Sequence, residues 1–167
     1  GPVPMVPHLH GGHSGQESDG YPEAWFLPAG AINIPAGYAR VGSKYDYFRQ
    51  IFEAANPGYP WQPGSAIFKY TNDQRATTLW YHDHTLGMTR VNVYAGPAGF
   101  YLLRGLDDLP AGVLPGPSPH IGQPAGTRYY EIPIAIQDRS FNDDGTLFYP
   151  PSRQFFDGAK SYIPATD

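Results

Sequence analysis

More than a fifth of this chain is glycine or proline, 20 and 19 of its 167 residues, and neither recurs at a fixed period. The missing period excludes a collagen-like triple helix. Proline fixes φ and removes a backbone donor, while glycine admits backbone angles that side chains resist, so the chain reads as many turns between short strands. Thirteen tyrosines and nine phenylalanines suit half-buried pleated surfaces better than helices. With 41% hydrophobic and 16% charged residues the composition is globular, and the length allows one ordinary domain with a sizeable core.

A formal net charge of −4 gives no reason to expect nucleic acid or an anionic membrane as partner. No hydrophobic run approaches the ~20 residues of a membrane span, and the first residues do not resemble a signal peptide. Cysteine is absent, which excludes disulfides, thiolate metal sites and cysteine nucleophiles in this chain. It leaves the compartment open. The chain starts Gly1-Pro2-Val3 without an initiator methionine, so a tag scar or a trimmed, partial chain is expected.

There is no internal repeat at solenoid period. From His8 to Gly20 the chain reads as a strand end running into a loop, with Asp19-Gly20 a turn signal. Residues 37–64 form a long aromatic connection in which Tyr47, Phe48, Ile51 and Phe52 recur at helical spacing, so a short surface helix is expected there. Residues 65–70 and 77–82 are β-rich and separated by Asn72-Asp73, which predicts a hairpin. Residues 85–94 are ambiguous, with room for a helical turn. Phe100 to Leu103 reads as a strongly buried strand, and 129–137 as the first strand of a new unit. Asn142-Asp143-Asp144-Gly145 is another turn.

Four of the six histidines form two His-x-His pairs, His8 with His10 and His82 with His84. On a strand, residues i and i+2 point to the same face, their Cα atoms roughly 6.5 Å apart. Two imidazoles so placed can share one metal or reach two neighbouring ones, and neutral imidazole suits copper, zinc and iron. Gly11-Gly12 follows the first pair and would let the backbone pass close to a metal. The second pair ends an aromatic segment, Leu79-Trp80-Tyr81-His82-Asp83-His84, that would supply a water-poor wall. Scattered surface or core histidines are the bland alternative, and two such pairs in one chain weigh against it. A zinc site of four imidazoles is a fair rival on ligand count. A cupin would need a glutamate four or five residues after the second histidine, where Ser14 and Gly15 stand, and Glu17 comes too late.

His8-Leu9-His10-Gly11-Gly12 with Ser18-Asp19-Gly20-Tyr21-Pro22-Glu23-Ala24-Trp25-Phe26 resembles the first copper motif of bacterial multicopper oxidases. Trp80-Tyr81-His82-Asp83-His84 with Thr89 to Gly96 resembles the second. Asp138-Arg139 and Asn142 to Pro150 are similar to the start of the next domain in the spore-coat laccase branch, which also oxidises bilirubin. The resemblance implies an all-β chain: a cupredoxin-like Greek-key β-barrel, incomplete at its N-terminus, followed by the first strands of a second cupredoxin domain. The corresponding division is 1–106 for the first domain, 107–127 for a Pro/Gly linker and 128–167 for the start of the second. It further implies a trinuclear copper cluster, with His8 on the type 2 copper and His10, His82 and His84 on the type 3 pair. Asp19 matches a catalytic acid that delivers protons as oxygen is reduced.

Asp83 lies between two of these ligands on the opposite face and is expected to hydrogen-bond structurally. His13 reads as a solvated loop residue, His120 as exposed, and Trp80 and Tyr81 as wall and core. Met88 is tempting as a copper ligand, but a type 1 copper site also needs cysteine, and the chain has none. The family carries that site in its last domain and has first-barrel strands before the first motif, so the chain reads as cut at both ends. The resemblance implies O₂ and small aromatic substrates (phenols, aromatic amines, bilirubin-like pigments) as partners, with the remaining domains of a parent oxidase or other copies of the chain. It favours an extracellular, periplasmic or spore-coat location. A stand-alone copper-binding module and an inactive structural remnant are the alternatives.

Overall fold

The computed structural model describes residues 3–105, 121–128, 130 and 132–149. Of the expected linker at 107–127, residues 107–120, including His120, lie outside the described residues, as does the tail from Pro150. The chain divides into two compact units, residues 1–134 and 135–167.

The first unit is built on an antiparallel three-stranded sheet in the order β1 (Pro7–His10), β2 (Thr77–Asp83), β3 (Ala98–Leu103). Register sets its two faces. His8 lies opposite His82, His10 opposite Trp80, and Trp80 in turn opposite Phe100. Directly paired residues share a face, so one side carries the histidines with Trp80, Phe100 and Leu102. The other carries Leu9, Leu79 and Leu103, buried against Tyr70 and Tyr101. A one-residue slip would exchange these sets, which is why the leucines specify where the histidines point.

Beside the sheet, helix α1 (Tyr45–Ala55) presents Tyr45, Phe48 and Phe52 to a core completed by Ala24, Phe26 and Trp61. The three- and four-residue spacing of those aromatics makes one apolar stripe. Phe52 is 1% exposed, a burial contributing about 1.5–3 kcal/mol. On the outer face Arg49 bridges Asp46 and Glu53 at i+3 and i+4 spacing, and Glu53 accepts from the Trp61 backbone N–H at 2.9 Å. A second helix, α2 (Thr89–Ala95), follows β2 and lies in the stretch whose pattern was ambiguous.

Three expectations change. Residues 65–70 do not pair with β2 as a hairpin, because both edges of β2 are taken by β1 and β3. They run instead against the loop after β1, with a single bridge between Ser14 and Tyr70 and the Lys69 N–H donating to Ser18 Oγ at 3.0 Å. β3 is only partly buried, since its histidine-side residues Phe100 and Leu102 are 36% and 39% exposed. Residues 132–137 form no strand, and Ile132, Ile134 and Ile136 are exposed. Alternation predicts a strand, but a partner edge makes one.

The second unit holds a two-stranded hairpin of β4 (Ser140–Phe141) and β5 (Leu147–Phe148) closed by the expected turn. The Asn142 N–H donates to the Thr146 carbonyl at 2.8 Å, and Asp144 Oδ1 accepts from the Thr146 N–H and hydroxyl. Those bonds hold the Asp144 carboxyl below the usual carboxylate range. Among the described residues, no helix is long and apolar enough to cross a membrane.

Candidate metal centre

The four paired histidines come together on one face of the sheet. His8 and His10 stand on β1, His82 near the end of β2, and His84 just beyond it, where its N–H continues the ladder to the Val6 carbonyl at 2.9 Å. The His8 ring is stacked on His84 at 4.7 Å between centroids and meets the rings of His82 and His10 edge-on at 5.3 and 5.6 Å. Donor nitrogens of His8, His10 and His82 all lie within 4.8 Å of one another. Trp80 covers one side, 5.3 Å from the His10 ring and 4.3 Å from that of His82. It is 39% exposed, so it is a wall residue rather than part of the core.

On three of the four rings the nitrogen that turns away from the cluster meets a main-chain carbonyl. His82 Nδ1 sits 2.7 Å from the Asp83 carbonyl, His84 Nδ1 2.8 Å from the Gly20 carbonyl, and His8 Nδ1 2.5 Å from the Asp19 carbonyl. A carbonyl oxygen can only accept, so a hydrogen bond at any of these three places needs the proton on Nδ1, the tautomer that leaves Nε2 as the lone-pair nitrogen. For His10 it is Nδ1 that faces the cluster, 3.4 Å from His82 Nε2. Burial pushes the His82 imidazole below its ordinary pKa, and the neighbouring His8, His84 and His10 rings push the same way against the Asp83 carbonyl, which favours protonation. The neutral ring is the form that binds a metal. Several imidazole lone pairs converging beside an aromatic wall is a donor set that fits copper, with zinc possible by donor type alone.

The other residues singled out in the sequence fall in different places. Asp19 approaches His8 mainly through its main chain; its exposed carboxylate lies 3.5 Å from His8 Nδ1 and 3.5 Å from Ser14 Oγ. Gly11 and Gly12 serve the turn after β1 rather than any approach to the histidines. Gly11 has φ +84°, the Gly12 N–H closes on the Leu9 carbonyl, and the space beside both is filled by Leu79 and Leu9. His13 pairs with Asp73 at 3.4 Å in an exposed loop. Met88 sits at the start of α2.

Asp83 points to the opposite face, as alternation requires, and is buried there. Its Oδ1 accepts from the Val6 N–H (2.9 Å) and the Thr85 hydroxyl (2.8 Å), and its Oδ2 from the Thr85 N–H (3.1 Å) and the Asn92 amide (2.8 Å). Asn92 also donates to the Pro4 carbonyl at 2.9 Å. Thr85 lies between the two parts of the second motif, and Asn92 falls inside its Thr89–Gly96 part, but neither residue type by itself points to a bond with Asp83.

No family model matches the chain. Curated relatives do. A laccase of Bacillus stratosphericus is 40% identical over 148 residues, covering 89% of this chain and 22% of that protein. The laccase of Bacillus subtilis (strain 168) is 36% identical over 148 residues, covering 89% and 21%. Multicopper oxidase LPR2 of Arabidopsis thaliana is 34% identical over 148 residues, covering 89% and 19%. The chain thus spans about a fifth of the length of these relatives.

Proposed function

Because this chain belongs to the multicopper oxidases, we propose that His8, His10, His82 and His84 are copper ligands and supply half of a trinuclear site. The convergence of the His8, His10 and His82 donors within 4.8 Å carries the reading. In it His8 takes the type 2 copper and the other three the type 3 pair, within a cupredoxin-like Greek-key barrel spanning 1–106, joined by the linker at 107–127 to a second such domain from 128. Copper held there would supply the redox chemistry that reduces dioxygen to water. The chain's own residues orient the donors, burial favours the neutral form of His82, and Trp80 limits water on one side. Asp19, whose carboxylate is exposed to solvent beside His8, takes the role of moving protons toward the site.

The whole enzyme would oxidise phenols, aromatic amines or bilirubin-like pigments, taking their electrons at a type 1 copper. That copper needs a thiolate and this chain has no cysteine, so electron entry belongs to another part of such an oxidase. The openness of the histidine face agrees, since His10 is exposed and Trp80 and Phe100 are 39% and 36% exposed.

Copper bound per chain after anaerobic reconstitution tests the proposal, with His8→Ala and His82→Ala beside the parent. Loss of binding in both variants is expected, since one substitution on each strand removes a donor from the same site. Binding that survives either substitution, or a parent that takes up no copper, overturns it.

A further inference from the structure

Asp19 and Gly20 form one short stretch of main chain that touches two candidate ligands from two different segments. The Asp19 carbonyl meets His8 Nδ1 at 2.5 Å, and the next carbonyl, that of Gly20, meets His84 Nδ1 at 2.8 Å. These rings are the stacked pair, 4.7 Å apart. Consecutive carbonyls of an extended chain point to opposite sides, so presenting both to one pair of rings requires a bend. Gly20 supplies it with φ +80°.

Gly20 is also buried against β1. A Cβ built there would lie 2.1 Å from the Pro7 carbonyl oxygen, 2.8 Å from its carbon and 3.0 Å from His8 Cα. All three atoms are backbone of β1, which cannot yield as a flexible side chain would. Any side chain at Gly20 must therefore push the stretch off β1 and withdraw both carbonyls together.

We propose that the Asp19–Gly20 main chain is a positioning device that fixes the Nδ1–H tautomer of His8 and His84, so that both rings offer Nε2 to the metal. The proposal rests on the reading of these rings as ligands. An unrestrained imidazole in water favours the Nε2–H tautomer, which would put a proton where the metal must bind. A carbonyl acceptor at each Nδ1 reverses that preference before metal arrives and sets the plane of each ring. The Asp19 side chain is not needed for this, because its carbonyl makes the contact.

Long-range ¹H–¹⁵N correlation spectra of the metal-free 167-residue chain, at mildly alkaline pH, read the tautomers directly. His8 and His84 are expected as Nδ1–H in the parent and equally in Asp19→Ala, which keeps the carbonyl. In Gly20→Ala both rings should move toward Nε2–H together, and copper affinity measured by competition should fall on the order of 10–100-fold. Either ring found as Nε2–H in the parent overturns the proposal, as does an Asp19→Ala spectrum that shifts like Gly20→Ala. The parent spectrum decides the matter even if Gly20→Ala fails to fold. Locked tautomers in a chain that takes up no copper would uphold the positioning and overturn the copper reading; copper uptake with unlocked rings would do the reverse.

Discussion

Replacing Asp83 tests how the histidine face is held in register. Its carboxylate accepts four hydrogen bonds, from the Val6 N–H, the Thr85 N–H and hydroxyl, and the Asn92 amide. A hydrogen bond to a charged acceptor contributes about 1.5–3 kcal/mol, so four taken singly would sum to roughly 6–12 kcal/mol. That sum overstates the effect, because bonds in one network do not add and water can enter the space left by a shortened side chain. Asp83→Ala should therefore cost about 4 kcal/mol, a large share of the 5–15 kcal/mol typical of a folded domain.

Asp83→Asn sharpens the argument. The amide keeps one accepting oxygen but must turn its NH₂ toward two of the four donors. Turned toward Val6 and the Thr85 hydroxyl, it can donate to the hydroxyl but strands the Val6 N–H; turned the other way it faces the Thr85 N–H and the Asn92 amide, and flipping Asn92 to compensate would set its oxygen against the Pro4 carbonyl. A cost of about 2 kcal/mol is expected, half the alanine value because half the acceptors survive. Urea unfolding followed by tryptophan fluorescence measures both. The double variant with Asn92→Ala should fall short of additivity by at least about 1 kcal/mol, since the two side chains share a bond. An alanine cost below about 1 kcal/mol, or an asparagine variant as stable as the parent, would refute the reasoning.

Phe52→Ala should cost about 3–5 kcal/mol in the same assay, because the side chain is 1% exposed among Tyr45, Phe48 and Trp61; a loss near zero would mean that α1 does not dock as described. Trp61→Phe should cost less than about 1 kcal/mol despite the smaller ring, since the buried Trp61 indole N–H has no partner among the described residues and its removal offsets lost contacts; a loss above about 2 kcal/mol would show that the nitrogen is satisfied. Burial first, with Tyr101 and Asp19 adding, raises the Tyr70 phenol above its ordinary value of 10.0. The unfolded chain thus ionises first, so this contribution is intact below pH 10.0 and is lost as pH rises from there through the folded-state value. The urea midpoint should fall across that window and fall less in Tyr70→Phe; equal slopes would refute the assignment.

The parts of the fold legible in the sequence were those fixed by local period. Tyr47, Phe48, Ile51 and Phe52 gave the helix at Tyr45–Ala55, and Asn142 to Gly145 gave the turn between β4 and β5. The two-residue spacing of each histidine pair put its members on one face because strand geometry leaves no alternative. Pairing was not legible. Residues 65–70 have the composition of a strand, but their one bridge is to a loop, because both edges of β2 are taken by β1 and β3. The Asp19 and Gly20 carbonyls were equally hidden, since a main-chain oxygen leaves no trace in residue type and its target, His84, lies 64 positions away.

The period that builds the site also explains why Asp83 can be so firmly bound without touching it. Between two residues of one face a strand must place one on the other, so any His-x-His pair on a strand carries a middle residue turned away from the metal. Here that residue is charged, buried and tied to Val6 before β1, Thr85 in the turn and Asn92 on α2. The imidazoles above need the opposite environment, few charges and accepting carbonyls, because each must stay neutral with one nitrogen bare. Dividing these requirements between faces lets the backbone of His82 and His84 be immobilised by strong charge-assisted bonds while no carboxylate competes for their Nε2 atoms. Substitutions at Asp83 should therefore reach the histidines only through displacement of the strand end, whereas substitutions at the histidines should leave the Asp83 network standing.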